Sequence, residues 1–367
     1  MDKKIVIITS NIAPYRLRWA EELAKFYEVE IVYTKDHDYE RDDRWLQNSS
    51  NKCLVTKLNN PKDLYDPLCF DVIDILKKHK NSLIIFDGYG PKTNILGLRY
   101  CKKHHIKSFV NVDGYPKQTN ILINAIKRFV IKYYCQYFFC SSELVRNHLI
   151  GYGAKKDKIF IHNFSSISED EIIKKPLSDK EKQDVRKQLG IDTDKKIVLG
   201  VGRFLPLKRF SDLILAIKQC QSICELYILG GKPSEEYLDL AKDMDNVHFI
   251  DFVEPENVDK YYEAANLFVL ASETEVWGLV INEAMAKGLP IIASDSVVGA
   301  YSLIKNNGLM FETYNVPKLS EAIDFCLDDN NLTRMSLESL KLIKDYTIEG
   351  MVIRQKPIID SYFQNTL

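Results

Sequence analysis

The sequence predicts an α/β chain built as two doubly wound parallel-sheet domains that face each other across a deep cleft. Three observations predict it. At 367 residues the chain is more than twice the roughly 150 residues of a common domain. Short, near-continuously apolar runs recur, each followed by a helix-length segment, as expected of parallel strands buried on both faces. A charged stretch poor in apolar residues, 166–190, divides those runs into two series.

The first series reads KIVIITS (4–10), VEIVYT (29–34), SLIIFD (82–87), SFVNVD (108–113), YFFCSS (137–142) and IFIHN (159–163). The second reads KIVLGVG (196–202), ELYILGG (225–231), VHFIDF (247–252), LFVLAS (267–272), PIIAS (290–294) and GLMF (308–311). The expected domains are 1–165 and 190–349, joined by a linker near 164–190. The tail at 346–363 reads as helix interrupted at Pro357, and the segment 350–367 is expected to return to the first domain. Ligands of such sheets bind outside the carboxyl ends of the strands.

Composition excludes several classes. With 46% hydrophobic and 28% charged residues the chain is an ordinary globular protein. Its net charge of −1 gives no general attraction to nucleic acid. The eight cysteines include no C-x-x-C pair and several sit in apolar runs, so they read as reduced thiols in a cytosolic protein. The start, MDKKIVIITSN, reads as a first strand and not a signal peptide. No run approaches the ~18 apolar residues of a membrane-spanning helix.

Two stretches carry candidate chemistry. In VGRFLPLKRFSDL (201–213) a strand ends at a glycine turn, Arg203 and Lys208 follow, and a helix begins. A guanidinium and an ammonium beside a helix N-terminus suit a diphosphate, the alternative being a solvated basic loop. The third glycine of the dinucleotide fingerprint is missing, which disfavours a nicotinamide cofactor. In ETEVWGLVINEAMAKG (273–288), Glu275 lies in a loop beside Trp277 and Gly278, and Glu283 is expected in the first turn of the next helix. Helix-dipole stabilisation would account for Glu283 alone but not for Glu275. A carboxylate accepts two hydroxyl hydrogen bonds, so this acidic pair suits a ligand with hydroxyls at both ends. A nucleotide-sugar is such a ligand, with the amides after Gly278 on its phosphates.

In order along the chain, VGRFLPLK (201–208), LYILGG (226–231), VHFIDFV (247–253), ETEVWGLVINEAMAKGLPIIASD (273–295) and NNGLMF (306–311) resemble the retaining glycosyltransferases of family four, which have the GT-B fold. More diffusely, NIAPYRLRWAEEL (11–23), FDGYG (86–90) and SSELVRNHLIGYGAKKDKIFIHN (141–163) extend that resemblance. The resemblance implies that Arg203 and Lys208 bind the donor diphosphate, with the main chain of Leu279 and Val280 beside it. It places Glu283 on the ribose, Glu275 on the donor sugar, Gly278 at the turn and Val253 near the base. It implies no bound metal and no cofactor beyond a nucleotide-sugar co-substrate, UDP- or GDP-linked. Trp277 stands where many members have phenylalanine, a change expected to reshape the sugar pocket. Asp113 stands where many carry a histidine, and is taken here as a candidate catalytic group. Tyr15 and Arg16, in a first loop without the paired glycines of many members, are expected at the acceptor, the alternative for Arg16 being that it merely covers the end of the helix.

The implied reaction is transfer of a hexose with retained configuration, in capsule, exopolysaccharide or lipopolysaccharide synthesis. Front-face displacement is favoured, a covalent step on Glu275 or Asp113 being the alternative. A same-fold nucleotide-sugar epimerase and an inactive partner subunit are the competing readings. Residues 99–158 hold twelve Lys/Arg against three Asp/Glu. Within them, 120–134 place Asn120, Asn124, Lys127, Arg128 and Lys132 on one helix side and Leu122, Ile126, Phe129, Val130 and Tyr133 on the other. The apolar side is expected to pack on the sheet. The basic side is expected to meet an anionic membrane, making the chain peripheral to the inner face of the plasma membrane with a lipid-linked or oligosaccharide acceptor.

Overall fold

A computed structural model describes residues 3–35, 49–59, 65–115 and 120–367. They form two compact units: Met1–Ser166 together with Thr347–Leu367, and Ile167–Tyr346.

The first unit comprises β1 (Lys4–Thr9), α1 (Pro14–Leu23), β2 (Glu28–Tyr33), β3 (Leu54–Lys57), α2 (Val72–Lys78), β4 (Leu83–Asp87), α3 (Lys92–Lys103), β5 (Ser108–Val112), α4 (Ile121–Tyr133), β6 (Tyr137–Cys140), α5 (Glu143–Gly151) and β7 (Ile159–Ile161). All strand pairs are parallel, in the order β3-β2-β1-β4-β5-β6-β7. The second unit comprises α6 (Asp179–Gln188), β8 (Lys196–Val201), α7 (Phe210–Gln219), β9 (Cys224–Leu229), α8 (Glu235–Ala241), β10 (Val247–Ile250), α9 (Pro255–Ala264), β11 (Leu267–Leu270), α10 (Leu279–Ala286), β12 (Ile291–Ser294), α11 (Ala300–Leu303), β13 (Gly308–Phe311), α12 (Val316–Leu327) and α13 (Asp329–Ile343). Its parallel order is β10-β9-β8-β11-β12-β13. In each sheet the strand order reverses beside the unit's first strand, between β1 and β4 and between β8 and β11, the position where doubly wound sheets form their ligand crevice outside the carboxyl ends.

Three expectations change. Residues 167–190 are not a free linker. Arg186 of α6, buried, donates to the carbonyls of Ala264 (3.0 Å) and Lys195 (3.0 Å) and to Oδ1 of Asn266 (2.7 Å). Those bonds tie α6 to the second sheet, and the Ser178–Glu181 capping box starts it. The last helix, α14 (Ile348–Phe363), runs through Pro357 without a break. Its packing outweighs the lost hydrogen bond: Trp19 Nε1 donates to Gln355 Oε1 (2.8 Å) and Tyr362 donates to the Ser82 carbonyl (2.7 Å). β3 is an additional short edge strand.

The third change concerns α4. Its apolar side does not pack on the sheet. Val130 and Ile131 are buried, but Leu122, Ile126, Phe129 and Tyr133 are exposed. The side that packs is the mixed one, because Tyr152, following α5, engages it. Tyr152 donates to Asn124 Oδ1 (2.6 Å), and the Arg128 guanidinium lies over its ring at 5.6 Å.

Candidate functional site

In the second unit the β8 and β11 loops meet at the crevice. β8 leads into Gly202 (φ +150°), and the chain leaving its parallel neighbour β9 runs so close that a Cβ on Gly230 would fall 1.8 Å from the Gly202 carbonyl oxygen. Only glycine fits that close approach, where the 203–208 loop begins. Arg209, in the left-handed region (φ +54°), turns the chain into α7 and is held by Asp212 through two bonds (3.0 and 2.6 Å). The ring of Tyr314, 4.8 Å from its guanidinium, completes the hold, and Tyr314 in turn donates to Glu273 (3.0 Å). The β11 loop then closes on the β8 loop. Glu273 N–H donates to the Leu207 carbonyl (2.9 Å), and Lys208 Nζ makes an ion pair with Glu275 Oε2. Glu275 is fixed from behind by a backbone bridge to Val297, with Val298 N–H donating to its carbonyl (3.2 Å).

Lys208 and Glu275 are thus brought together, and Arg203, half-buried, shares the same loop. Gly278 (φ +89°) starts α10, so the amides of Leu279 and Val280 stand at a helix N-terminus without intrahelical acceptors. Glu283 departs from expectation. It is the fifth residue of α10, beyond the first turn, and the helix dipole does not account for it. Its Oε2 instead accepts from the hydroxyl of buried Tyr262 (2.9 Å), whose ionisation burial opposes most strongly, with Glu283 adding to the effect. Val253 lies half-buried in the loop after β10, two strands from β8. The Trp277 ring is buried, and its Nε1 donates to Asn282 Oδ1 (3.0 Å), so the larger aromatic at this position is anchored in the core. Sequence reasoning missed Glu273, Arg209 and Tyr314, which hold the loops. The first two lie within the quoted stretches 273–288 and 201–213, but nothing in the sequence marks Tyr314.

The first unit has its own polar cluster at the β1–β4 crevice. Arg16 of α1 donates from Nε to Asp87 Oδ2 (2.8 Å), and its Nη2 contacts Asp87 Oδ1 (2.5 Å) and Asp113 Oδ2. Thr9 donates to Asp87 (3.0 Å) and Asn111 to Asp113 (2.9 Å). The guanidinium is 5% exposed and lies over Tyr15, Trp19 and Phe164. Both of its carboxylate partners, Asp87 and Asp113, belong to the same unit. Tyr15, half-buried, sets its ring edge-on to Phe164 at 5.6 Å. Burial and the neighbouring Asp87 push the Asp113 carboxyl up to about 6, against the pull of Arg16. Asp113 is therefore held in place by Arg16 and Asn111 and is protonated more readily than an ordinary carboxylate.

Among the described residues no group of three or more His, Cys, Asp or Glu side chains is arranged to hold a metal ion.

Residues 181–339 match the family described as glycosyl transferases group 1. An uncharacterized glycosyltransferase of Haemophilus influenzae is 33% identical over 177 residues, 45% of this chain and 49% of that protein. An alpha-monoglucosyldiacylglycerol synthase of Streptococcus pneumoniae is 28% identical over 164 residues, 42% of this chain and 36% of the relative. The chain thus spans about half or less of the curated relatives it matches. The crystal structure of Anabaena HepE in complex with UDP-glucose superposes with a TM-score of 0.74 at 15% identity, covering 98% of this chain and 99% of the other. That likeness shows the fold: two parallel-sheet α/β units of the GT-B type.

Proposed function

We propose that the chain is a glycosyltransferase that moves a hexose from a UDP- or GDP-linked donor to a lipid-linked or saccharide acceptor with retained configuration. The observation that carries this is the Lys208–Glu275 ion pair, which joins two loops at the β8–β11 crevice beside the N-terminus of α10. A cation and a carboxylate in contact match the two halves of a sugar diphosphate. Lys208, with Arg203 and the Leu279 and Val280 amides, takes the phosphates, and Glu275 takes the sugar hydroxyls. Glu283 reads the ribose, and Val253 lies toward the base.

In the step itself the sugar–phosphate bond lengthens while negative charge gathers on the departing diphosphate. Stabilising that charge is the largest contribution such a site can make. The acceptor hydroxyl adds on the same face and passes its proton to the leaving phosphate oxygen, with no metal in the scheme. Asp113, positioned by Arg16 and Asn111, serves the sugar side, and Tyr15 borders the acceptor. The UDP-glucose bound in the HepE structure supports a nucleotide-sugar donor, and the name of the Streptococcus pneumoniae relative supports a lipid acceptor. On this reading the protein works peripherally on the inner face of the plasma membrane.

The test is nucleotide diphosphate release from a panel of UDP- and GDP-hexoses, with and without lipid-linked acceptors, together with thermal shift. A donor at 100 times its Kd stabilises the fold by about 2.7 kcal/mol. Acceptor-dependent release with the product's anomeric configuration unchanged, read by NMR, supports the proposal. Interconversion of the donor sugar without an acceptor, or no shift with any donor, refutes it.

A further inference from the structure

The face of α4 that the fold leaves uncovered has a particular composition. Leu122, Ile126, Phe129 and Tyr133, spaced i, i+4, i+7 and i+11, form one stripe, and they are 70%, 50%, 48% and 50% exposed. Single exposed apolar side chains are ordinary, but a contiguous stripe of four large ones is not. The helix that carries the stripe is held at its start and on its opposite side. Asn120 caps the helix by accepting from the amides of Leu122 (3.0 Å) and Ile123 (3.1 Å). Tyr152 clamps the opposite side through Asn124 and Arg128.

Cations flank the stripe. Lys132 stands next to it, with its Nζ 5.4 Å from the Tyr133 ring centroid. The Lys132 stem runs beside Gly153, in the turn that leads to Lys155, Lys156 and Lys158. Phe129 and Tyr133 pack on each other at 5.0 Å, an apolar body with a hydroxyl at one end. A second copy on this face would bring two such sets of lysines together, which like-charge repulsion opposes. An anionic lipid surface answers both features at once, with headgroups for the lysines and acyl chains for the stripe.

We propose that α4 lies in the plane of an anionic bilayer and inserts Leu122, Ile126, Phe129 and Tyr133 below the headgroups. The surrounding lysines extend to the lipid phosphates. Membrane attachment is then partly apolar and survives salt, unlike adsorption by charge alone. The inference rests on the membrane part of the proposed function but not on sugar transfer. Its test is run without nucleotide-sugar, so the two can fail separately.

The experiment is flotation of the full chain with phosphatidylglycerol–phosphatidylcholine vesicles at low and high salt. It is paired with a Phe129→Trp variant read by quenching from lipids brominated on the acyl chains. The wild type is expected to float at low salt and to remain partly bound at high salt, and the indole fluorescence added by Phe129→Trp is expected to be quenched. The double variant Ile126→Glu/Phe129→Glu is expected to lose about tenfold or more in partitioning with an unchanged Tm, because the altered side chains are exposed. Lys132→Gln with Lys156→Gln removes only the salt-sensitive share. Complete release of the wild type by salt without quenching overturns insertion. A concentration-dependent dimer that the double glutamate variant abolishes, with no vesicle binding, assigns the stripe to a second copy and overturns it as well.

Discussion

Replacing Lys208 with methionine separates what the Lys208–Glu275 pair does for the fold from what it does for chemistry. The two side chains are 16% and 21% exposed, so the pair is largely but not wholly out of water. Breaking a fully buried pair costs about 3–5 kcal/mol, while an exposed pair is worth about 0–1 kcal/mol. This intermediate burial puts Lys208→Met at about 2 kcal/mol, because it strands the Glu275 carboxylate against the β8 loop. Glu275→Gln should cost about 1 kcal/mol, since an ammonium on a four-carbon stem can swing to water. The double variant removes both charges and should be more stable than Lys208→Met alone, a coupling of about 1–2 kcal/mol. Turnover should run the other way. If Lys208 meets the leaving diphosphate, its loss lowers kcat by about 10²–10³, and removing Glu275 as well restores nothing. The assays are thermal unfolding and acceptor-dependent nucleotide release on all four proteins. A double variant no more stable than Lys208→Met would show that the pair does not form in solution. A double variant that regains turnover would show that the pair is structural and would end the diphosphate assignment.

Two further outcomes follow from other residues. His162 is buried, accepts at Nδ1 from Gln355 (2.8 Å), and is held down to about 3, first by burial and then by Arg16 and Arg354. Since the unfolded chain protonates this histidine near 6.5, the unfolded state binds the extra proton between about 6.5 and about 3. Stability contributed by His162 is therefore intact above that window and falls by about 1.4 kcal/mol per pH unit within it. His162→Phe should flatten the fall in unfolding midpoint on acidification, and an unchanged pH profile refutes the assignment. Gly230→Ala drives a Cβ to 1.8 Å from the Gly202 carbonyl oxygen and should cost about 3 kcal/mol or more while displacing the 203–208 loop. Thermal unfolding and the donor-induced shift would both drop; a wild-type shift by donor would show that the close approach does not position the loop.

Much of the fold could be read because its strands are buried on both faces, and a run such as LFVLAS has few other interpretations. What escaped was whatever lacked that double burial. β3 is four residues at a sheet edge, with exposed Leu54 and Lys57 at its ends, and has no periodicity long enough to notice. α6 looked like linker because it is almost entirely charged. Its Arg186 and Lys182 nevertheless go inward to backbone carbonyls of the Ala264–Ala265 turn, a use of charge that composition disguises. Pro357 reads as an interruption when local propensity is taken without the contacts of α14 on α1 and on Tyr27, which override it.

The candidate site divides along the same line. Residue types near the glycine turns could be picked out, since Gly202, Gly230 and Gly278 mark where the backbone must turn or approach closely. The pairings could not: Lys208 meets Glu275 across 67 positions, and Arg16 meets Asp113 across 97, separations over which no local pattern links a cation to its carboxylate. In α4 the failure is of a different kind. Helical periodicity states that apolar residues align, not which side the rest of the chain approaches. Asn124 and Arg128 look like a solvent face until Tyr152, 28 and 24 residues on, supplies a hydroxyl and a ring. Once that side is taken, the apolar stripe has no cover within its unit among the described residues. The amphipathic pattern then describes a surface for another phase and not a contribution to the core.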